Sequence, residues 1–160
     1  MKIREGFVSN SSSSSFIVIR HTDIEIPSFN KDVLNVPEDF GGNLFFGWGP
    51  NDYFDFASKL NFAYLQTQYA ENLEDHALLK KALESINETK NIRLYMLEKI
   101  LKENLHVKKI NWNIDTSEAY IDHQSNSAEG RNLEMFSSMQ SLRNFLFSKK
   151  SIIHEDNDNH

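Results

Sequence analysis

The chain has 160 residues, 39% of them hydrophobic and 12% aromatic, with twelve phenylalanines; that is the size and apolar content of one globular domain, and it argues against global disorder. Seventeen basic against 23 acidic residues leave a net charge of -6, the wrong sign for an electrostatic grip on nucleic acid or an anionic membrane. There is no cysteine, so disulfides, thiolate zinc sites and cysteine nucleophiles are excluded, and any metal must bind through imidazole, carboxylate or amide oxygen.

The first residues, MKIREGFV, carry basic side chains but no apolar stretch of signal-peptide length, and no segment is long and apolar enough to span a bilayer. The expected compartment is the cytoplasm of a bacterial host cell, or a virion. After the serine-rich segment 1–15, Phe16 to Ile19 is a short apolar run with β-branched members, which predicts a buried strand. Ile24 and Ile26 alternate before Pro27 and allow a second, edge strand. Residues 27–51 hold all three prolines and four of the six glycines, and read as a long connection anchored by Phe45, Phe46 and Trp48.

Pro50, Asn51 and Asp52 form a helix-start signal. The helix that follows is apolar over much of its circumference, from Tyr53 through Phe56, Leu60, Ala63 and Tyr64 on one side and Phe54, Phe62 and Leu65 on another. Such a helix belongs at the centre of a fold. A second helix is predicted over 74–86. A third is predicted over 90–104, with Thr89 as cap and Leu94, Leu97, Leu101 and Leu105 as its stripe. The period then falls to two: Ile110, Trp112 and Ile114 alternate with polar residues, and so does EAYIDHQ, which predicts a β-hairpin over about 108–124. Ser137 with Gln140 reads as a capping box opening a last helix through Met139, Leu142, Phe145 and Leu146. Ser151 to Ile153 supplies a final strand before an acidic tail, 154–160. The expected fold is one α+β domain over 1–160: a small, mostly antiparallel sheet from the N-terminal strand, the hairpin and the C-terminal strand, packed with about four helices.

The opening MKIREGFVSNSSSSSFIV resembles an N-terminal signature, KIR-x-GFVSNSSSSSF, found on small uncharacterised proteins of bacteriophages and some bacteria. FGWGPNDYFDFASKLNFAYLQTQY, YIDHQS and NFLFSKKSIIHEDNDN are similar to stretches of one such phage-type family; residues 27–43 and 72–108 lie outside the likeness. The resemblance implies a phage-associated origin and a shared fold. It implies no reaction and no catalytic residue.

Four segments carry candidate chemistry. Ser11, Ser12, Ser13, Ser14 and Ser15 offer a modification tag or an anion cradle, although the run lacks the Gly-x4-Gly-Lys pattern and leads into a strand rather than a helix; local bonding to backbone explains it as well. Asp122 and His123 are adjacent, so on a strand they point to opposite faces and cannot form the acid–base pair of a triad. With His154, Glu155 and Asp156 of the acidic tail they supply the atoms of a divalent-metal site if the last strand lies beside YIDHQ. Without that convergence the tail is a solvated terminus and His123 a hydrogen-bonded core residue. Phe45, Phe46 and Trp48 form either a partner-binding surface or the pins of a long loop.

With no catalytic constellation, an acidic balance and abundant aromatic residues, the sequence favours a phage-associated protein without catalytic activity or cofactor that acts by binding another protein, host or viral. A small metal-dependent hydrolase or nuclease built on Asp122, His123 and His154 is one alternative. A virion or assembly component, its serine segment a packaging or processing signal, is another.

Overall fold

The computed structural model describes residues 13–47, 50–69, 91–121 and 131–157. In chain order the strands are β1 (Ser13–Val18), β2 (Val33–Val36), β3 (Phe45–Phe46), β4 (Asp52–Tyr53), β5 (Lys109–Trp112), β6 (Tyr120–Ile121) and β7 (Ile152–Asn157). The helices are α1 (Phe56–Tyr69), α2 (Ile92–Leu105) and α3 (Met139–Phe147), with a 3-10 helix at Arg131–Phe136. The architecture is α+β, as the sequence predicts, with three α-helices among the described residues; the helix expected over 74–86 lies outside them.

α1 is the centre. Every residue from 57 to 67 except Tyr64 is buried, which bears out the expectation that this helix is central, although Ser58, Lys59, Asn61, Gln66 and Thr67 are buried along with its apolar residues. Its start differs from the expectation. Asp52 and Tyr53 extend as β4, where Tyr53 pairs with Ile153 and packs edge-on against Phe46 at 5.5 Å. Asp55 then caps the helix, its carboxylate accepting from the Ser58 N–H at 2.9 Å. α2 is capped by Asn91, whose side chain accepts from the Leu94 N–H, and Leu97, Ile100, Leu101 and Leu105 bury its inner stripe. α3 is capped by Ser138 through the Ser141 N–H, one residue beyond the expected Ser137, whose hydroxyl instead bonds the Glu134 carbonyl at 2.8 Å.

The main sheet runs β1-β7-β4, antiparallel throughout, so its strands come from both ends of the chain and from the middle. The predicted 108–124 hairpin does not form. β5 lies parallel to β2, with Leu34 beside Ile110 and Val36 beside Trp112, and β6 lies parallel to β3. Between β5 and β6 a turn over 115–119 is held by Asp115, whose carbonyl accepts from the Glu118 and Ala119 N–H groups and whose carboxylate accepts from Ser117. That turn sends the chain to a new partner strand, whereas hairpin arms must face each other across two to five residues. The alternation in "VLNV", with Leu34 and Val36 buried, is the other half of the pair, inside what reads from sequence as a connection.

Polar side chains of α1 pin the irregular segments to it. Asn61 donates to the Gly41 and Asn43 carbonyls at 3.0 Å each, and the Ser58 hydroxyl accepts from the Asn43 N–H at 2.9 Å. Gly42 can therefore sit directly on the helix, at φ +93°, where a Cβ would meet Ala57 C and Ser58 N at 2.7 Å. Gly41 also has positive φ, +77°, but a Cβ there meets nothing within 4 Å. We expect Gly42→Ala to cost about 3 kcal/mol or more, from strain plus overpacking, and Gly41→Ala only about 1 kcal/mol. Urea midpoints at unchanged slope measure both; equal costs would remove the close approach as the cause.

Candidate functional site

The first candidate is a cleft of about 400 Å³ lined by Pro27, Phe54, Phe56, Leu146 and Phe147, with Glu25, Asp55, Lys59, Ser148 and Lys149 as its polar members. Its apolar wall follows from aromatic packing. Phe56 stacks on Phe147 at 5.4 Å and 9° between planes, and takes Phe40 edge-on at 5.0 Å on another side. Phe54, between β4 and α1, lines the cleft yet is 51% exposed. On the polar side Lys149 pairs with Glu25 at 3.1 Å, both well exposed, so the pair is a screened surface contact.

Lys59 is different in kind. It is 1% exposed, and its ammonium donates to the carbonyls of Ser148 at 2.7 Å and Ser151 at 2.9 Å. Burial pushes its pKa from 10.5 down to about 8, an effect that the nearby Asp55 charge partly offsets. The signal for it in the sequence is the lysine of "FASKLNF", inside a helix expected at the centre of the fold, where a charge must be buried and bonded.

β7 carries the second candidate. His154 and Glu155 are neighbours on the strand and so point to opposite faces. His154 is opposite Asp52 and Phe16 in register, its Nδ1 2.5 Å from Asp52 Oδ1 and its ring 4.8 Å from that of Phe16. Glu155 faces inward, 2% exposed, and its carboxylate accepts from the Gly47 N–H at 2.8 Å and the Asn51 amide at 3.4 Å. Burial raises its pKa, with those two hydrogen bonds pulling the other way. The strand thus separates two of the predicted metal ligands. Asp156 is in β7 opposite Ser14, while Asp122 and His123 lie outside the described residues. Among the described residues no three His, Asp or Glu side chains gather as an ion would require. The acidic tail is not simply solvated: as far as Asn157 it is paired strand.

The aromatic trio divides. Phe46 is fully buried, edge-on to Phe62 at 5.0 Å, so it belongs to the core and is corrected from a partner-binding to a packing residue. Phe45 is 49% exposed on the same two-residue strand, as alternation requires, and Trp48 lies outside the described residues. Of the serines, Ser13 to Ser15 are within β1, opposite Asn157, Asp156 and Glu155; Ser11 and Ser12 lie outside the described residues. The serine run is therefore, in its second half, part of the strand it was read as introducing.

Comparison with protein-family models, with curated proteins and with solved structures finds no match to this chain.

Two pH effects follow. For Lys59 the folded pKa lies below the unfolded one, so between about pH 8 and 10.5 the unfolded chain binds more protons and stability rises with pH. The rise should total on the order of 3 kcal/mol and be absent in Lys59→Met; denaturant melts of both proteins across that window test it, and parallel curves would refute it. For Glu155 the folded pKa lies above the unfolded one, so its favourable contribution is complete below about pH 4.5 and is lost as pH rises through the folded value. Glu155→Gln should flatten the stability profile on the alkaline side of pH 4.5, read from thermal midpoints of the two proteins.

Proposed function

We propose that this chain is a non-catalytic, phage-associated binding module that engages another protein, host or viral, through the cleft beside α1. The observation that carries the reading is an aromatic side chain, Phe54, half exposed on the lip of a concave apolar cleft. Burial of an aromatic anchor against such a surface is where interface energy concentrates. The net charge of -6 and the screened Lys149–Glu25 pair give a polar rim of mixed sign, which suits a protein surface better than a polyanion. The N-terminal signature supports a phage setting and hence a bacterial cytoplasm or a virion. No helix among the described residues is long and apolar enough to cross a membrane.

The metal-dependent hydrolase reading has one feature in its favour among the described residues, an imidazole oriented by a carboxylate at His154–Asp52. One ligand and its orienting partner are not a metal centre.

Tagged protein recovered from host or infected cells should bring down a stoichiometric partner, identified by mass spectrometry. Phe54→Asp should weaken that purified pair at least about thirtyfold, the effect of losing a hot-spot aromatic, without lowering the melting temperature. Phe45→Asp, equally exposed, is the control. A partner retained by Phe54→Asp and lost with Phe45→Asp would move the interface to the sequence-predicted aromatic loop.

A further inference from the structure

We infer that the cleft receives the carboxyl terminus of a partner chain ending in an apolar residue, Lys59 taking the terminal carboxylate and Phe54, Phe56 and Phe147 taking the last side chain. This rests on the protein-binding reading of the same cleft and specifies what the partner presents.

An ammonium has three N–H donors. Two of those on Lys59 are used by Ser148 and Ser151, and the third has no acceptor among the described residues, although the side chain is 99% withdrawn from solvent at 1% exposure. Lys59 and its acceptor Ser148 both line the cleft. A buried cation with a spare donor is best completed by an anionic oxygen, because charge-assisted hydrogen bonds strengthen where the local dielectric is low.

The remaining wall is aromatic and aliphatic, so the occupant must bring an anion and an apolar body within one small volume. An internal Asp or Glu brings the anion alone, and an internal Leu or Phe brings the body alone. A C-terminal apolar residue has both on one Cα, and a cleft of about 400 Å³ is at the small end of the range for compact ligands. Two carboxylates of the protein stand in the same cleft and oppose an anion. Glu25 is held by Lys149 at 3.1 Å, and Asp55 by the Ser58 N–H at 2.9 Å. Both are exposed to solvent and screened, whereas Lys59 acts from the buried side.

The test uses fluorescence anisotropy with a labelled hexapeptide ending in Leu-Phe, as free carboxylate and as amide, with phenylacetate as competitor. At pH 7 the free acid should bind at least about tenfold tighter than the amide, the worth of one charge-assisted bond. Lys59→Met should remove the preference, bringing acid and amide to equal affinity. The same comparison on the unmodified protein needs no variant to fold: raising the pH through about 8, where Lys59 loses its proton, should abolish the acid's advantage. Asp55 acts on the ammonium through its charge, Glu25 and Lys149 are the other charged groups of the cleft, and the amide controls for all three.

Equal binding of acid and amide at pH 7 would overturn the inference and leave the apolar cleft as a protein-binding site. So would phenylacetate competing as tightly as the peptide, which would make the site one for small aryl carboxylates. If neither peptide binds, the inference fails, and the Phe54 dependence of the recovered partner decides separately whether the cleft is an interface.

Discussion

The ammonium of Lys59, held by the carbonyls of Ser148 and Ser151, is the tie on which the rest of the arrangement depends. Those two residues bound the turn between α3 and β7. The same turn takes the Thr22 carbonyl on the Ser148 hydroxyl at 2.5 Å and the Arg20 N–H on the Ser151 hydroxyl at 2.8 Å. One lysine therefore fixes α1 against the point where the last helix, the last strand and the end of β1 meet. Withdrawing a charge from water is costly, as its depressed pKa shows, and a buried ion is weak evidence for stability as such. An apolar residue of the same length would spare that cost but take the ammonium from the Ser151 carbonyl and leave the Ser148 carbonyl only the Ser151 N–H at 3.1 Å, a buried acceptor left unmet being worth about 1–3 kcal/mol. These opposing amounts are comparable, so the interaction acts chiefly on geometry: it selects one placement of the turn.

The same device recurs around α1 and β7. Asn61 and Ser58 satisfy the backbone of 41–43, and Glu155 satisfies Gly47 and reaches Asn51. Each ties an irregular segment to a regular element through a side chain and a long stretch of intervening chain. This explains how two-residue strands persist. β3 and β4 make too few ladder bonds to hold themselves, yet β3 is preceded by the Asn61 clamp, and the Glu155 clamp spans the segment from β3 to β4. Buried polar side chains here do the work that longer strands do in an ordinary sheet, and the cores of Phe46, Phe62 and Phe145 close over them.

What could be read from sequence follows from which forces are local. The helices α1, α2 and α3 show their apolar stripes within one segment, so their existence was legible; their first residues were not, because Asp55, Asn91 and Ser138 compete with other good caps one to four positions away. Phe16 and the final isoleucines announced strands at both ends. The hairpin was misread because alternation reports that a strand has one buried face and says nothing about its partner. Ile110 finds Leu34 across a parallel pair that no turn signal records. β2 itself, Val33–Val36, was concealed by the prolines and glycines around it. At the candidate site the aromatic character was legible in Phe54, Phe56 and Phe147, but the cleft was not, since it joins residues 25–27, 54–59 and 146–149. The carboxylate beside His154 is Asp52, on the adjacent strand β4 and not in the acidic tail, a pairing that no local pattern announces.

The proposed recognition of a chain end would draw on the same lysine that holds the turn. The two donors given to Ser148 and Ser151 set where the nitrogen stands, and that fixed position is what makes the third useful, since a donor already immobilised loses little further entropy on meeting a ligand. A surface lysine such as Lys149 supplies the same charge but on a mobile stem in high dielectric, where its pairing with Glu25 is worth little. Phe54 complements this from the outside. Its backbone stands at the junction of β4 and α1 between two anchored neighbours, Tyr53 in the sheet and Phe56 in the aromatic stack. A fixed cation at the buried side and a half-exposed ring at the lip define a direction across the cleft, polar end in and apolar body along the wall. Of the groups a protein partner can offer, the end of a chain is the one that has this polarity built into a single residue.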